Sequence, residues 1–172
     1  MIDLAYFIIY MNIPIRYLPF RLSRKDEKKQ IMGLRRSRKL YKKGVYKGRP
    51  FLSSFRNKTS KHIVRARRLY HIENMRVGSE LVRKTGCSLD ALNAIVKKGE
   101  GAYYSSGSRP NQTAQSWGLA RLASSLTEGK SSAVDYGILE SGCNHNGRAF
   151  RMAKTAKRKW GFGRGHTHRR SV

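Results

Sequence analysis

Acidic side chains are scarce in this 172-residue chain: 10 Asp and Glu stand against 37 Lys and Arg, a formal charge of +27. A compact body with that charge repels itself, which excludes a chain that balances its own electrostatics and points to polyanions or acidic protein surfaces nearby. Cysteine is scarce too. Cys87 and Cys143 are too few for a disulfide scaffold and read as reduced intracellular thiols. Long apolar runs are missing. The apolar start, Met1 to Tyr10, falls far short of the roughly 20 residues that span a bilayer, and its one early charge is the acidic Asp3, so it reads as neither signal peptide nor transmembrane helix. The length leaves room for one ordinary domain with terminal arms and argues against a two-domain enzyme.

Groupings that carry catalysis are missing as well. Glu73, Glu80, Asp90, Glu100, Glu128, Asp135 and Glu140 are spread singly and are not paired as general acid and base. Cys143 and His145 lie close together, but no third group fixes them for nucleophilic work, and with His166 and His168 they make a poor zinc set drawn from unlike places. The expectation is a protein that is not an enzyme and holds no metal or cofactor.

What is present is charge, unevenly placed. Residues 1–72 hold 20 basic and 3 acidic groups (+17), residues 73–147 hold 8 and 7 (+1), and residues 148–172 hold 9 and none (+9). This layout predicts a mainly α protein: a small helical core domain with extended basic N- and C-terminal arms. Its segments are an apolar N-terminal stretch (1–22), a basic helical arm (23–72), a near-neutral helical core (73–147) and a basic C-terminal arm (148–172).

In the first arm, Ser23 precedes Asp26 and Glu27, an N-cap followed by carboxylates in the first turn, and Gly44 offers a stop after Lys43. Ile31, Leu34 and Tyr41 form a thin apolar stripe. Arg35, Arg36, Arg38, Lys39, Lys42 and Lys43 cover most of the remaining surface. A second basic helix from Ser60 to Tyr70 turns Arg65, Arg67 and Arg68 outward. The tail from Arg148 reads as another basic helix, with Lys157, Arg158 and Lys159 near its end, followed by a glycine-arginine segment of the kind that orders on binding. These cations are the candidate anion- or partner-binding residues. Ile2, Leu4, Phe7 and Ile8, with Phe51 and Phe55 of the extended connector after Val45, are the candidate apolar docking residues. For Met1–Tyr10, docking between partner subunits, an upstream extension of a chain starting at Met11, and membrane contact all stay open.

Within the neutral segment, helices are expected from Ser79 to Thr85 and from Ser88 to Gly99, from about Ala114 to Thr127, and from Ser131 or Ser132 to Gly142. The first two, joined through Gly86, have the spacing of a DNA-reading helix-turn-helix. Ser88, Asp90 and Asn93 at the start of the second helix give the wrong electrostatics for that role, so a structural helix pair is the better reading. Between pairs lies a hydroxyl-rich loop, Tyr103, Tyr104, Ser105, Ser106, Gly107, Ser108, Arg109, Pro110 and Asn111, leading to Trp117. An arginine beside such a loop and ahead of a helix start suggests an anion cradle. It lacks the Gly-Lys-Ser/Thr ending of a nucleotide-hydrolase loop. The favoured alternative is structural, with Tyr103, Tyr104 and Trp117 wedged into the core while Arg109 and Asn111 hydrogen-bond the loop; Tyr103-Tyr104 also suits a short strand.

The stretch Ala102-Tyr-Tyr-Ser-Ser-Gly-Ser-Arg-Pro-Asn-Gln-Thr113, with Ser116-Trp-Gly118, Ala120-Arg-Leu-Ala-Ser124, Gly129-Lys130 and Val134-Asp-Tyr136, resembles a family of small basic proteins of large double-stranded DNA viruses of algae and protists, relatives of chlorella viruses and mimiviruses, with some phage members. Tyr17-Leu-Pro19, the Ser23 helix start, Ser37-Arg-Lys-Leu-Tyr41 and Thr85-Gly-Cys87 extend the resemblance over about residues 17–143. It implies a viral setting rather than a reaction.

In that setting the expectation is a virion structural component made in the host cytoplasm. A minor capsid protein linking neighbouring shell subunits through its arms is the leading reading, because the apolar segment and thin-striped helices suit burial by capsid or other virion proteins. A nucleic-acid-binding or genome-condensing virion protein is the alternative. Membrane contact is the least favoured partner.

Overall fold

The structure is a computed structural model that describes residues 12–161 and 168–172. Among these, eight helices and one two-stranded sheet make a mainly α domain. The candidate docking residues Ile2, Leu4, Phe7 and Ile8 and part of the glycine-arginine tail lie outside the described residues.

Strand β1 (Asn12–Pro14) pairs antiparallel with β2 (Arg169–Ser171), with Ile13 opposite Arg170. Helix α1 (Arg24–Tyr41) starts where its signals predict: the Ser23 hydroxyl accepts from the Asp26 N–H, and Asp26 and Glu27 sit in the first turn. Helix α2 (Lys61–Tyr70) follows the connector, and α3 (Ser79–Thr85) turns into α4 (Leu89–Ser105) through Gly86 at φ 70°.

Helix α4 departs from expectation by running through Gly99 and Gly101 to Ser105, so Tyr103 and Tyr104 are helical and form no strand. The reason is packing. Gly99 faces α5 (Ala114–Ser125) at Gly118, where a Cβ on Gly99 would lie 2.6 Å from the Gly118 Cα. Glycine here permits a close helix crossing instead of ending a helix. The chain then passes through two short helices, α6 (Lys130–Val134) and α7 (Tyr136–Gly142), where one was expected, and ends its helical part in α8 (Arg148–Trp160).

Two apolar clusters hold the domain. The larger gathers Ala66 and Tyr70 of α2, Leu81 of α3, Leu92 and Ile95 of α4, Leu122 of α5, Leu139 of α7, and Ala149, Phe150 and Ala153 of α8. The smaller joins Ile13, Tyr17, Leu18 and Leu22 to Leu34 of α1 and Leu52, with Phe55, Trp117 and Val172 packed against it. The division drawn from charge and the division drawn from packing therefore fall in different places. The basic helices α2 and α8 are charged outside and part of the main cluster inside, and the thin stripe of α1 is spent on Leu34, which is fully buried.

The cysteines are a correction. Cys87 and Cys143, read as reduced thiols, are joined in a disulfide across a sequence separation of 56. An antiparallel backbone bridge sets them opposite each other, flanked by Ser88 N–H to Gly142 C=O at 2.7 Å and Asn144 N–H to Gly86 C=O at 2.8 Å. A count of two cysteines argues against a disulfide scaffold but says nothing about a single staple. The bond also removes Cys143 from any metal set. The same junction lays Gly142 against Ala91 and Ser88, so the first turn of α4 is covered by the end of α7, as suits a structural helix pair.

Polar clusters tie the segments together, among them those around Asp135, Asp26 and Asn111. Asp135, buried between α6 and α7, accepts from Arg121 Nε at 2.8 Å, Arg121 Nη2 at 2.6 Å, Lys98 Nζ at 2.9 Å and the Ser125 hydroxyl at 2.8 Å. Burial pushes its carboxyl up, but the Arg121 hydrogen bonds and charge, with Lys98 and Ser125, outweigh that and hold it below its ordinary value. Asp26 accepts from the Ser54 N–H at 2.8 Å and the Ser54 hydroxyl at 2.7 Å, and these two bonds lower its pKa while pinning the connector to α1. Asn111, in the left-handed region at φ 55°, accepts from the Leu52 N–H and donates to the Leu52 and Phe55 carbonyls, closing the connector from the other side.

Candidate polyanion-binding groove

Clamping the connector between α1 and the Asn111 turn leaves a broad open groove of about 2110 Å³. Its side chains come from almost every part of the chain. Arg16 and Arg21 follow β1; Arg38, Tyr41 and Lys42 end α1; Phe55, Arg56 and Lys58 belong to the connector; His62 and Arg65 open α2. Across from these in sequence, Arg109 precedes α5, Trp117 and Arg121 lie on α5, Glu128 and Lys130 follow it, Lys159 and Trp160 end α8, and Arg169 starts β2.

The lining thus carries twelve Lys and Arg side chains and one carboxylate, Glu128, among the described residues. Such an imbalance in a concave surface focuses a positive field and concentrates anions there. Within the lining, Arg121 is held by Asp135 and Arg38 donates to the Ser106 carbonyl at 2.6 Å, so both guanidiniums are positioned rather than freely rotating. Burial, and then the charges of Arg65 and Arg109, push the His62 imidazole below its ordinary value. An anion seated beside His62 would offset the Arg65 and Arg109 repulsion, the lesser causes of that shift.

The structure sorts the cations picked out by the sequence. Arg38, Lys42, Arg65, Arg109 and Lys159 line the groove. Arg35, Arg36, Lys39, Lys43, Lys157 and Arg158 are exposed and lie away from its lining, Lys157 over the Tyr136 ring at 3.9 Å. Arg67 and Arg68 border a separate shallow hollow beside Glu73. Arg16, Arg21, Arg56, Lys58, His62, Arg121, Lys130 and Arg169 were missed. One signal was available: Arg38, Tyr41 and Lys42 share a helix face at spacings of three and four, as do Trp117 and Arg121, so grouping cations by face rather than by run finds part of the groove.

The docking candidates divide too. Phe51 is 72% exposed, whereas Phe55 packs on the smaller cluster and reaches the groove. In the motif loop, Tyr103 is buried, Ser105 and Ser106 border the groove at the end of α4, and Arg109 is exposed on its lining. Tyr104 stacks with Tyr41 and meets Tyr103 edge-on. The α5 start is satisfied by its own residues, with Thr113 and Ser116 bonded reciprocally to each other's backbone N–H. That leaves little of the expected anion cradle at the helix end. Tyr103 and Asn111 have structural roles, and the anion-facing element is Arg109 as a groove side chain.

The match of a family profile decides the lineage: a family of unknown function, DUF5824, covers residues 19–146. The chain belongs to that family. The match takes in α1 to α7, while Arg16, Lys159, Trp160 and Arg169 of the groove fall outside it. No curated protein and no solved structure matches the chain.

Proposed function

We propose that this protein binds nucleic acid, with the groove as its interface. One observation carries the reading: twelve cations and one carboxylate line a single concave surface that also presents aromatic rings. Phosphate neutralisation by Lys and Arg supplies the bulk of sequence-independent affinity, and a concave basic surface offers it from several directions at once. The thin apolar stripes that favoured burial by a protein shell are consumed inside the domain, at Leu34 in α1 and at Phe150 and Ala153 in α8. That weakens the case for arms reaching out to partners.

A second reading keeps support from a different surface. Phe20, Met32, Tyr46 and Phe51 are all more than three-fifths exposed (71%, 68%, 66% and 72%), and apolar groups of that size suit a contact with another virion protein. The viral setting, and with it a place in the virion as a minor capsid or genome-associated protein, rests on the sequence resemblance.

Salt titration tests the groove. Binding to a fluorescent oligonucleotide is expected to weaken steeply and linearly in log salt, and Arg109→Glu with Lys58→Glu to reduce both affinity and slope. Arg67→Glu with Arg68→Glu, outside the groove, serves as the matched charge control. Equal losses from both pairs would show that the groove is not the interface, and absence of binding at low salt would leave the protein-shell reading standing.

A further inference from the structure

Both tryptophans of the chain, Trp117 and Trp160, line the groove. Neither is fully buried, although indole is the side chain with most to gain from a core. Trp117 sits on α5 with Tyr17 meeting it edge-on at 5.7 Å between ring centres, a brace that fixes the indole beside Arg121 one helical turn on. Trp160, at the end of α8, has the ammonium groups of Lys130 and Lys159 at 5.1 Å and 5.2 Å from its ring centre. Aromatic rings and phosphate-seeking cations therefore share one surface.

A duplex makes poor use of that combination. Its base faces are hidden in the stack, and proteins that read it push a helix or a ribbon outward into the major groove. Among the described residues this surface is concave. A single strand presents a π-face at every base, and aromatic side chains in a basic channel are the usual means of holding it without regard to sequence. The lysines on Trp160 fit the same logic: Lys130 and Lys159 are exposed, so each ammonium can exchange the ring face for a phosphate as a base takes its place.

We infer that the groove takes nucleic acid as a single strand, with bases stacked on Trp117 and Trp160 and phosphates on the cations that share the groove. This rests on the nucleic-acid reading above. Because the two stacking residues are the only tryptophans, the intact protein reports its own occupancy: a base stacked on indole quenches its fluorescence.

The experiment titrates the full chain with an oligothymidylate and with the same oligothymidylate annealed to its complement, following tryptophan fluorescence together with anisotropy of a labelled strand. The single strand is expected to bind about tenfold more tightly than the duplex and to quench the emission. Trp117→Phe and Trp160→Phe leave one reporter each, and both are expected to keep part of the quench. Trp160→Ala, outside both apolar clusters, is expected to weaken single-strand binding roughly five-fold and duplex binding by less than that. Duplex binding as tight as single-strand binding overturns the inference and spares the nucleic-acid reading. A single-strand preference without quenching overturns the stacking role. No binding of either form at low salt overturns both.

Discussion

The Arg49 guanidinium lies 3.7 Å from the centre of the Tyr103 ring and ties down the start of the connector, beside the Asp26 and Asn111 ties further along it. The same group donates to the Ser37 hydroxyl at 3.2 Å, the Tyr103 carbonyl at 3.0 Å and the Ser108 hydroxyl at 2.6 Å, while the Arg49 N–H donates to the Tyr103 phenol at 3.2 Å. One side chain thus joins α1, the end of α4, the motif loop and the connector. Burial lowers its pKa, with Tyr103 acting in the opposite sense, but an arginine keeps its charge regardless. Arg49→Met, which keeps the stem and loses the fork, is expected to cost about 3 kcal/mol in urea unfolding. Arg49→Lys restores charge without the planar fork and is expected to recover less than half of that.

Asp135 gives the molecule an acid limb. Its carboxylate is buried and fully bonded, so the folded state resists protonation more than the unfolded chain does. The stability it supplies is complete above the ordinary carboxylate value of 3.8 and is lost as pH falls through its lower folded value. Asp135→Asn breaks the Arg121 and Lys98 pairing and is expected to cost about 3 kcal/mol at neutral pH. Urea midpoints measured from pH 7 down to pH 2 should fall less steeply for the variant than for the parent. Arg121 loses its anchor in the same change, so weaker oligonucleotide binding by the folded variant is the second readout.

Local signals were legible and tertiary ones were not. Ser23, Asp26 and Glu27 announce α1 because capping is settled within one turn, and Leu34 of its thin apolar stripe lies on the buried face. Gly99 was misread because a glycine that ends a helix and a glycine that lets another helix approach look alike until the partner, Gly118, is known. The same limit hid the site. Arg49 and Arg109 are two arginines beside prolines in the sequence, yet Arg49 is committed to structure and Arg109 faces the groove, a distinction made by residues more than fifty positions away. Runs of charge attracted attention to Arg35, Arg36 and Lys39, whereas the groove collects single cations from nine places along the chain.

The crossing of α4 and α5 is tight enough for one methyl group to test. An added Cβ at Gly118 would sit 2.7 Å from the Val96 carbonyl oxygen and 2.9 Å from Val96 Cγ1. Both neighbours belong to a helix packed on the main cluster, so neither can retreat cheaply. Gly118→Ala and Gly99→Ala are each expected to cost about 2 kcal/mol from overpacking. Gly137 in α7 has no neighbour within 4 Å of the same added atom, and Gly137→Ala is expected to be neutral or to gain up to about 1 kcal/mol. Denaturation midpoints of the three variants measure the contrast directly.

Joining Cys87 to Cys143 closes a loop that contains α4, α5, α6 and α7, with a sequence separation of 56. Loop-closure entropy removed from the unfolded chain over that span corresponds to about 4 kcal/mol. Reduction is therefore expected to lower the urea midpoint markedly, and Cys87→Ser with Cys143→Ser to reproduce the reduced protein while becoming insensitive to reductant. A midpoint unmoved by reductant would show that the backbone bridge at Cys87 and Cys143, and not the bond, fixes the junction. Neither cysteine lines the groove, so reduced protein that remains folded should bind oligonucleotide as the oxidised protein does. Loss of binding on reduction without loss of helical signal would instead mean that the staple sets the distance between α5 and the end of α8, and with it the spacing of Trp117 and Trp160.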